Sequence, residues 1–381
     1  MIPSDILIPF NKPYLSGSEL HNIAEAVSAG KLSGNGIFTQ RCQRFFEEEY
    51  GFARALLTNS GTAALEMAAL LLNLQPGDEV ILPSFTFTST ANAFLLRGAT
   101  LVFADSSPEH PNIDPGEIAR LITPRTRAIV VVHYAGVACD MDFISSLVSQ
   151  HNLILIEDAA QAIESYHGSR RLGTIGHLAA FSFHETKNIS AGEGGLLAIN
   201  DNQFAERAEI LWEKGTNRAA FSRGETAKYE WVDIGSSFLP SELTAAFLCA
   251  QLDNRLRISK RRLQQWNVYQ QALAPLMSIG VKLPLIPSYA QAHNAHIFYL
   301  LCRSPKERDL LIHHLRAHHI LAIFHYQPLH TSPFFEHAYT GPPLPNTVYY
   351  AQHLLRLPLY YELSEEQQVC IAEQVLAFYQ Q

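Results

Sequence analysis

Phe181-Ser182-Phe183-His184-Glu185-Thr186-Lys187-Asn188 is the stretch on which the reading of this chain turns. An apolar, strand-like run ends at Phe183, and a lysine follows it just ahead of Gly192, Gly194 and Gly195. Upstream stands Ile154-Leu155-Ile156-Glu157-Asp158-Ala159-Ala160-Gln161, a second apolar run that ends in an acid. Each phrase alone is ordinary, because apolar strands ending in Asp occur throughout α/β proteins. A third element narrows the choice. Leu56-Leu57-Thr58-Asn59-Ser60-Gly61-Thr62-Ala63-Ala64-Leu65-Glu66-Met67 runs from apolar to small and polar, then into a helix pattern. Such a helix start offers free N–H groups and a dipole that favours an anion. A cap by Ser60 or Thr62 explains the same residues and is compatible with anion binding. No Gly-Lys-Ser/Thr follows, and the dinucleotide glycine spacing is missing. A lysine amine, an acid and an anion cradle are the parts that pyridoxal phosphate needs. The amine forms a Schiff base, and the acid keeps the pyridine nitrogen protonated.

The rest of the composition bounds the possibilities. The 381 residues suffice for a large domain and a smaller one. A hydrophobic fraction of 47% and a charged fraction of 17% fit an ordinary globular enzyme. The net charge of −8 argues against nucleic acid or an anionic membrane as main partner. Cysteines at 42, 139, 249, 302 and 370 are scattered and odd in number, which points to reduced thiols in the cytoplasm. Met1-Ile2-Pro3-Ser4-Asp5 lacks the basic-then-apolar pattern of a signal peptide. No run reaches the ~18–20 apolar residues that span a bilayer.

Outward from the opening phrase, strand and helix patterns alternate. Strands are predicted at Ala55–Thr58, Glu79–Leu82, Thr100–Ala104, Ala128–Val132, Leu153–Glu157, Ala179–Phe183 and Gly195–Ile199. Helices are predicted at Ala63–Leu72, Ser89–Leu96, Pro115–Ile122 and Asp142–Gln150. Ala128–Val132 is apolar on both faces, as a buried parallel strand is. The alternation implies an α/β fold, a mostly parallel central sheet with helices on both faces. Ligands of such sheets sit at the carboxyl ends of strands, where Ser60–Thr62, Asp158 and Lys187 all fall. A helix-rich stretch covers Ser241–Leu273, and its basic residues (Arg255, Arg257, Lys260, Arg261 and Arg262) read as a solvated face. Beyond it, a strand at Ile297–Cys302, a helix at Lys306–His318 and a strand at Ile320–Phe324 read as a smaller α+β domain. The expected division is 1–254 and 255–381. His313, His314, His318 and His319 are expected on one helix, with no carboxylate on their face, so they read as surface rather than metal ligands.

Taken together the phrases resemble the DegT/DnrJ/EryC1/StrS sugar aminotransferases, a branch of the fold type I pyridoxal phosphate enzymes. The resemblance runs from Ile8-Pro9-Phe10-Asn11 to the end. It includes Ser28-Ala29-Gly30-Lys31-Leu32-Ser33-Gly34, Pro76-Gly77-Asp78-Glu79-Val80, Pro83-Ser84-Phe85-Thr86-Phe87, Val132-His133-Tyr134-Ala135-Gly136 and Glu193-Gly194-Gly195. It implies that Lys187 is the Schiff-base lysine and Asp158 the partner of the pyridine nitrogen. It implies Gln161 beside the phenolic oxygen, Phe87 stacked on the ring, and Gly61, Thr62 and Ser182 around the phosphate. Many members reach the phosphate with an Asn of a neighbouring subunit. Leu239 stands at that position here, with Ser236 or Ser237 as substitutes. The phrases His184–Asn188, Lys214–Arg218 and Phe324–Tyr326 imply a nucleotide-linked 4-keto-6-deoxy sugar as acceptor and L-glutamate as donor. Lys214, Asn217, Arg218, His325 and Tyr326 are the candidate substrate contacts, and a homodimer with shared sites is expected. A same-fold sugar dehydratase carries His in place of Lys187. A non-catalytic relative would have lost Lys187 or Asp158, and both are present.

Overall fold

The computed structural model describes residues 8–380, so the leader reading at Met1–Asp5 lies outside the described residues. Among the described residues twelve strands are formed: β1 (Arg54–Thr58), β2 (Glu79–Pro83), β3 (Thr100–Ala104), β4 (Thr126–Val132), β5 (Ile154–Asp158), β6 (Tyr166–His167), β7 (Arg170–Arg171), β8 (Leu178–Ser182), β9 (Gly195–Ile199), β10 (Tyr299–Leu301), β11 (Ile323–Phe324) and β12 (Leu354–Arg356). Helices α1 (Glu19–Ser28), α2 (Ile37–Tyr50), α3 (Gly61–Leu71), α4 (Thr88–Leu95), α5 (Pro115–Leu121), α6 (Met141–His151) and α7 (Ala205–Trp212) accompany the first half. They are followed by α8 (Arg218–Ser222), α9 (Glu242–Asp253), α10 (Arg255–Ala272), α11 (Pro305–Ala317), α12 (Pro345–His353) and α13 (Glu365–Tyr379).

Seven strands make the main sheet, in the order β1-β9-β8-β5-β4-β2-β3. β9 pairs antiparallel with both neighbours, while the pairs from β8 through β5, β4 and β2 to β3 are parallel. Successive side chains on a strand face opposite sides, and both sides are buried here. On β8, Leu178 and Ala180 join one core with α3 and α7, and Ala179 and Phe181 join another with α2 and α9. On β5, Ile156 faces the first of these cores, while Leu155 meets the inner face of α6. That double burial is why the strand sequences read as unbroken apolar runs.

A three-stranded sheet, β10-β12-β11, carries the later part of the chain. It packs with α10, α11 and α13 over a separate apolar cluster around Trp266, Phe298, Leu311 and Ile371. Ile8 belongs to that cluster and bridges Ile320 in parallel. This corrects the expected strand Ile320–Phe324: Ile320 is paired with Ile8, and β11 proper is Ile323–Phe324. The helical stretch after Ser241 is likewise two helices, broken at Asn254. The histidines do not share one helix. α11 stops at Ala317, His318 caps it, and His319 turns to φ +61. His314 Nε2 bonds the Gln374 carbonyl at 3.1 Å, and His318 Nδ1 bonds that of His314 at 2.8 Å.

Candidate active site

The carboxyl ends of β1, β5 and β8 converge on a cavity of about 690 Å³. Asp158 is the last residue of β5, and Lys187 stands in the turn beyond β8. The two acids that end β5 point to opposite faces. Glu157 goes into the core, where it takes His133 Nε2 at 2.9 Å and the amides of Gly173, Ile175 and Gly176. Burial raises its pKa, yet His133 and the amides outweigh that and leave it lowered. Asp158 faces the cavity. Thr90 Oγ1 donates to its Oδ2 at 2.7 Å, and the Ala160 amide to its Oδ1 at 3.1 Å. Burial still pushes its pKa above the usual aspartate value. A carboxylate so placed gains from any cation set before it.

Lys187 forms no ion pair with Asp158, although both line the cavity. Burial, helped by the charge of Arg356 and opposed by Asp158, lowers its pKa to about 8. The amine is therefore closer to its neutral, nucleophilic form than an ordinary lysine is.

At the start of α3, Ser60 is the cap, and its Oγ accepts from the Ala63 amide at 3.1 Å. Thr62 is not the cap, since its hydroxyl bonds Ser89 Oγ at 2.7 Å. The amides of Gly61 and Thr62 are left without a partner among the described residues and open on the cavity. Gly61 has a steric reason as well. A Cβ there would stand 2.9 Å from Ser182 Cβ, so only glycine lets the helix start meet the end of β8. Phe87 caps α4 with its ring 58% exposed toward this space. Gln161 accepts from the Ala135 amide at 2.7 Å and donates to the Tyr326 hydroxyl at 3.1 Å. The rings of His325 and Tyr326 lie tilted against each other with centroids 3.5 Å apart, and His325 Nδ1 bonds the Tyr134 hydroxyl at 3.0 Å.

The seven expected cofactor residues and the pair His325 and Tyr326 thus share one cavity. Lys214, Asn217 and Arg218 do not join them. Lys214 and Arg218 line a separate cavity, also about 690 Å³, with Lys31, Arg44, Ser237 and Leu239. Asn217 is spent on its own loop, accepting from the Glu230 amide at 2.7 Å and donating to the Lys228 carbonyl at 3.1 Å. Leu239 packs on Gly34, where a Cβ would meet the Leu239 Cβ at 2.8 Å. Thr90, Arg262 and Arg356 were not foreseen as part of the site. Thr90 lies in the first turn of α4, four residues after Thr86, and their hydroxyls bond at 2.8 Å. Arg356 is a lone cation inside the apolar run Leu354–Leu359.

A profile described as the DegT/DnrJ/EryC1/StrS aminotransferase family matches residues 13–376. The chain belongs to that family. It is 34% identical over 368 residues to the spore coat polysaccharide biosynthesis protein SpsC of Bacillus subtilis, covering 94% of each chain. The crystal structure of the aminotransferase TlmJ from Streptoalloteichus hindustanus superposes with a TM-score of 0.90 at 29% identity, covering 98% of this chain and 99% of that one. That of S. venezuelae DesV in complex with ketimine intermediate gives 0.89 at 31%, with the same coverage. The chain is thus a pyridoxal phosphate-dependent aminotransferase of fold type I, and the cavity has the donors such a cofactor takes. The unclaimed amides of Gly61 and Thr62 suit its phosphate, the exposed face of Phe87 its ring, and buried Asp158 its cationic nitrogen. When bound, pyridoxal phosphate supplies an electron sink beside the substrate carbon. The chain's own residues do the rest. Asp158, oriented by Thr90 and the Ala160 amide, would hold a proton on the ring nitrogen. Lys187, once free as an amine, would be placed to take a proton from the substrate carbon and return it elsewhere.

Proposed function

We propose that this aminotransferase moves the amino group of L-glutamate onto a nucleotide-linked 4-keto-6-deoxy sugar. The acceptor is dTDP-4-keto-6-deoxy-D-glucose, and the product is dTDP-4-amino-4,6-dideoxy-D-galactose, a precursor of enterobacterial common antigen. The observation that carries the reading is the convergence of Lys187, Asp158, Phe87 and the free α3 amides on one cavity. Fold alone never fixes a substrate. The sugar assignment rests on the phrases at 184–188, 214–218 and 324–326.

The working unit is a homodimer that completes each site across the interface near 233–239. The exposed apolar side chains Tyr229, Trp231, Val232 and Ile234 support this, since Trp231 alone is 80% exposed. Lys214 and Arg218 then act beside that interface, as localised cations for the sugar's diphosphate on an acidic chain. The protein works in the cytoplasm, in line with scattered thiols and, among the described residues, no helix long and apolar enough to cross a membrane. The chain divides after residue 254, where α10 begins.

A half-reaction screen tests the reading. The pyridoxamine form of the enzyme is offered a panel of nucleotide keto-sugars, and each product is solved by NMR. Amination at C4 with galacto configuration is the expected result. Amination at C3, or the gluco product, overturns the sugar assignment and leaves the aminotransferase class intact.

A further inference from the structure

We propose that His296 is the acceptor that reads the sugar's 3-hydroxyl, the O–H beside the carbon that gains the amine. The proposal rests on the nucleotide-sugar reading and adds to it a residue that chooses among such sugars.

A chain of hydrogen bonds fixes which imidazole nitrogen carries the hydrogen. Asn294 starts it. Its Nδ2 donates to the carbonyls of Gln161 and Ile163, both at 2.8 Å, and its Oδ1 accepts from the His296 amide at 3.0 Å. Asn188 is oriented in the same way. Its Nδ2 donates to the Asn294 carbonyl at 2.9 Å, which leaves Oδ1 to face His296 Nδ1, also at 2.9 Å. An amide oxygen only accepts, so Nδ1 carries the hydrogen. Nε2 of the neutral ring is then a bare lone pair. It has no partner among the described residues, and the partly buried ring lines the Lys187 cavity. Burial, then the charges of Lys187, Arg262 and Arg356, hold the imidazole well below its usual pKa, so the ring stays neutral. Its backbone is held as well, with Arg262 Nη2 on the His296 carbonyl at 2.8 Å. His325 differs. Its Nδ1 meets the Tyr134 hydroxyl, which can donate or accept, and that leaves its tautomer open.

A lone pair selects by what it cannot hold. Carboxylates and phosphates are acceptors alone and gain nothing from it. The amino donor brings carboxylates and the one amine that reacts. The 4-keto-6-deoxy sugar brings hydroxyls. Of the carbons that flank C4, C5 bears a methyl group and the ring oxygen, and C3 bears a hydroxyl. Asn188 directly follows Lys187, so His296 bonds the lysine's own turn, and the lysine's charge is felt at its ring. An acceptor this near the reacting amine meets the 3-hydroxyl before those farther round the sugar. Other acceptors around the ring site are already engaged. Gln161 Oε1 takes the Ala135 amide, and the oxygens of Asp158 take Thr90 and the Ala160 amide.

The test offers the pyridoxamine form of the holoenzyme two acceptors, dTDP-4-keto-6-deoxy-D-glucose and its 3-deoxy counterpart. The L-glutamate half-reaction is timed in parallel, both by the cofactor's absorbance. Wild type should prefer the sugar with the 3-hydroxyl by about 10- to 100-fold in kcat/KM, since the other leaves an acceptor unpaired. His296→Asn keeps a donor at the place of Nδ1 and loses the far acceptor. Its preference should fall to within about threefold, and the sugar half-reaction should suffer far more than the glutamate one. His296→Gln carries an oxygen about as far out as Nε2 and should keep a preference of about 3- to 10-fold. Should His296→Asn not fold, His296→Phe carries the test, because it keeps a ring and has no acceptor. Equal rates for the two sugars in wild type overturn the proposal. So does an unchanged preference in the variants without an acceptor, which would leave His296 only the task of holding Asn188. A wild type that reacts with L-glutamate yet aminates neither sugar fails at an earlier step, and removes the nucleotide-sugar reading along with the proposal.

Discussion

Lys187 should titrate near pH 8 in the cofactor-free chain, and its two charged neighbours should move that value in opposite directions. Bringing an ammonium from the ordinary 10.5 to about 8 is worth roughly 3 kcal/mol. Burial is the main cause. At pH 7 about one chain in ten then carries a neutral amine, against about one in three thousand for an unshifted lysine. Cofactor capture by the apo chain, timed by stopped-flow absorbance across pH, reads this neutral fraction, and borohydride trapping with peptide mapping identifies Lys187 as the site. Asp158 holds the pKa up, so Asp158→Asn should lower the midpoint. Arg356 presses it down, so Arg356→Gln should raise it. The sign for folding follows. The folded value is depressed, so the unfolded chain binds more protons between about pH 8 and 10.5. The apo protein therefore carries the full penalty below pH 8 and sheds it as pH rises through that window. A wild-type midpoint near 10, or both variants shifting the same way, would refute the assignment of burial and these two charges.

Other outcomes follow from the same geometry. Lys187→Ala should still take up cofactor but lose turnover, and borohydride should no longer fix cofactor to that peptide. Asp158→Asn should lower turnover more than tenfold, over ~1.4 kcal/mol of barrier, with Thr90→Val showing a smaller loss in the same rate assay. Asn294 donates to the carbonyls of Gln161 and Ile163, both at 2.8 Å, in a buried position. Asn294→Ala should therefore destabilise the fold by about 2–3 kcal/mol in a denaturant titration. Sedimentation should show a dimer, and a fully active monomer at nanomolar concentration would remove the shared-site reading.

Much of the large sheet was legible because its strands are buried on both faces and end in punctuating residues. Lys187 and Asp158 could be picked out for the same reason, as polar residues closing apolar runs. What escaped was set by distance along the chain. Thr90 matters because α4 lies beside the end of β5, which no local pattern states. Arg356 reaches the cavity through the pairing of β12 with β10 and β11, three segments far apart in sequence. A cation within an apolar run was the available hint. The run of histidines misled because a positive φ at His319 ends the turn where helical periodicity would have continued it. Lys214 and Arg218 were named from a phrase, and phrases carry no information about which cavity a side chain enters.

The turn that carries Lys187 is also stitched to the later part of the chain. Asn188, next to the lysine, donates to the Asn294 carbonyl at 2.9 Å and bonds His296 Nδ1 at 2.9 Å. The Ile8 amide donates to the His319 carbonyl and the Leu321 amide to that of Ile8, at 3.1 and 3.0 Å. The lysine turn beyond the large sheet is thus tied to the segment that leads into β10, and Ile8 is tied into the core beneath the small sheet. Neither sheet can melt alone without straining these ties, so the chain should unfold as one cooperative unit. The lysine's environment would then report on the integrity of the whole fold, and a lesion far off in the small sheet would register as a change of colour at the cofactor.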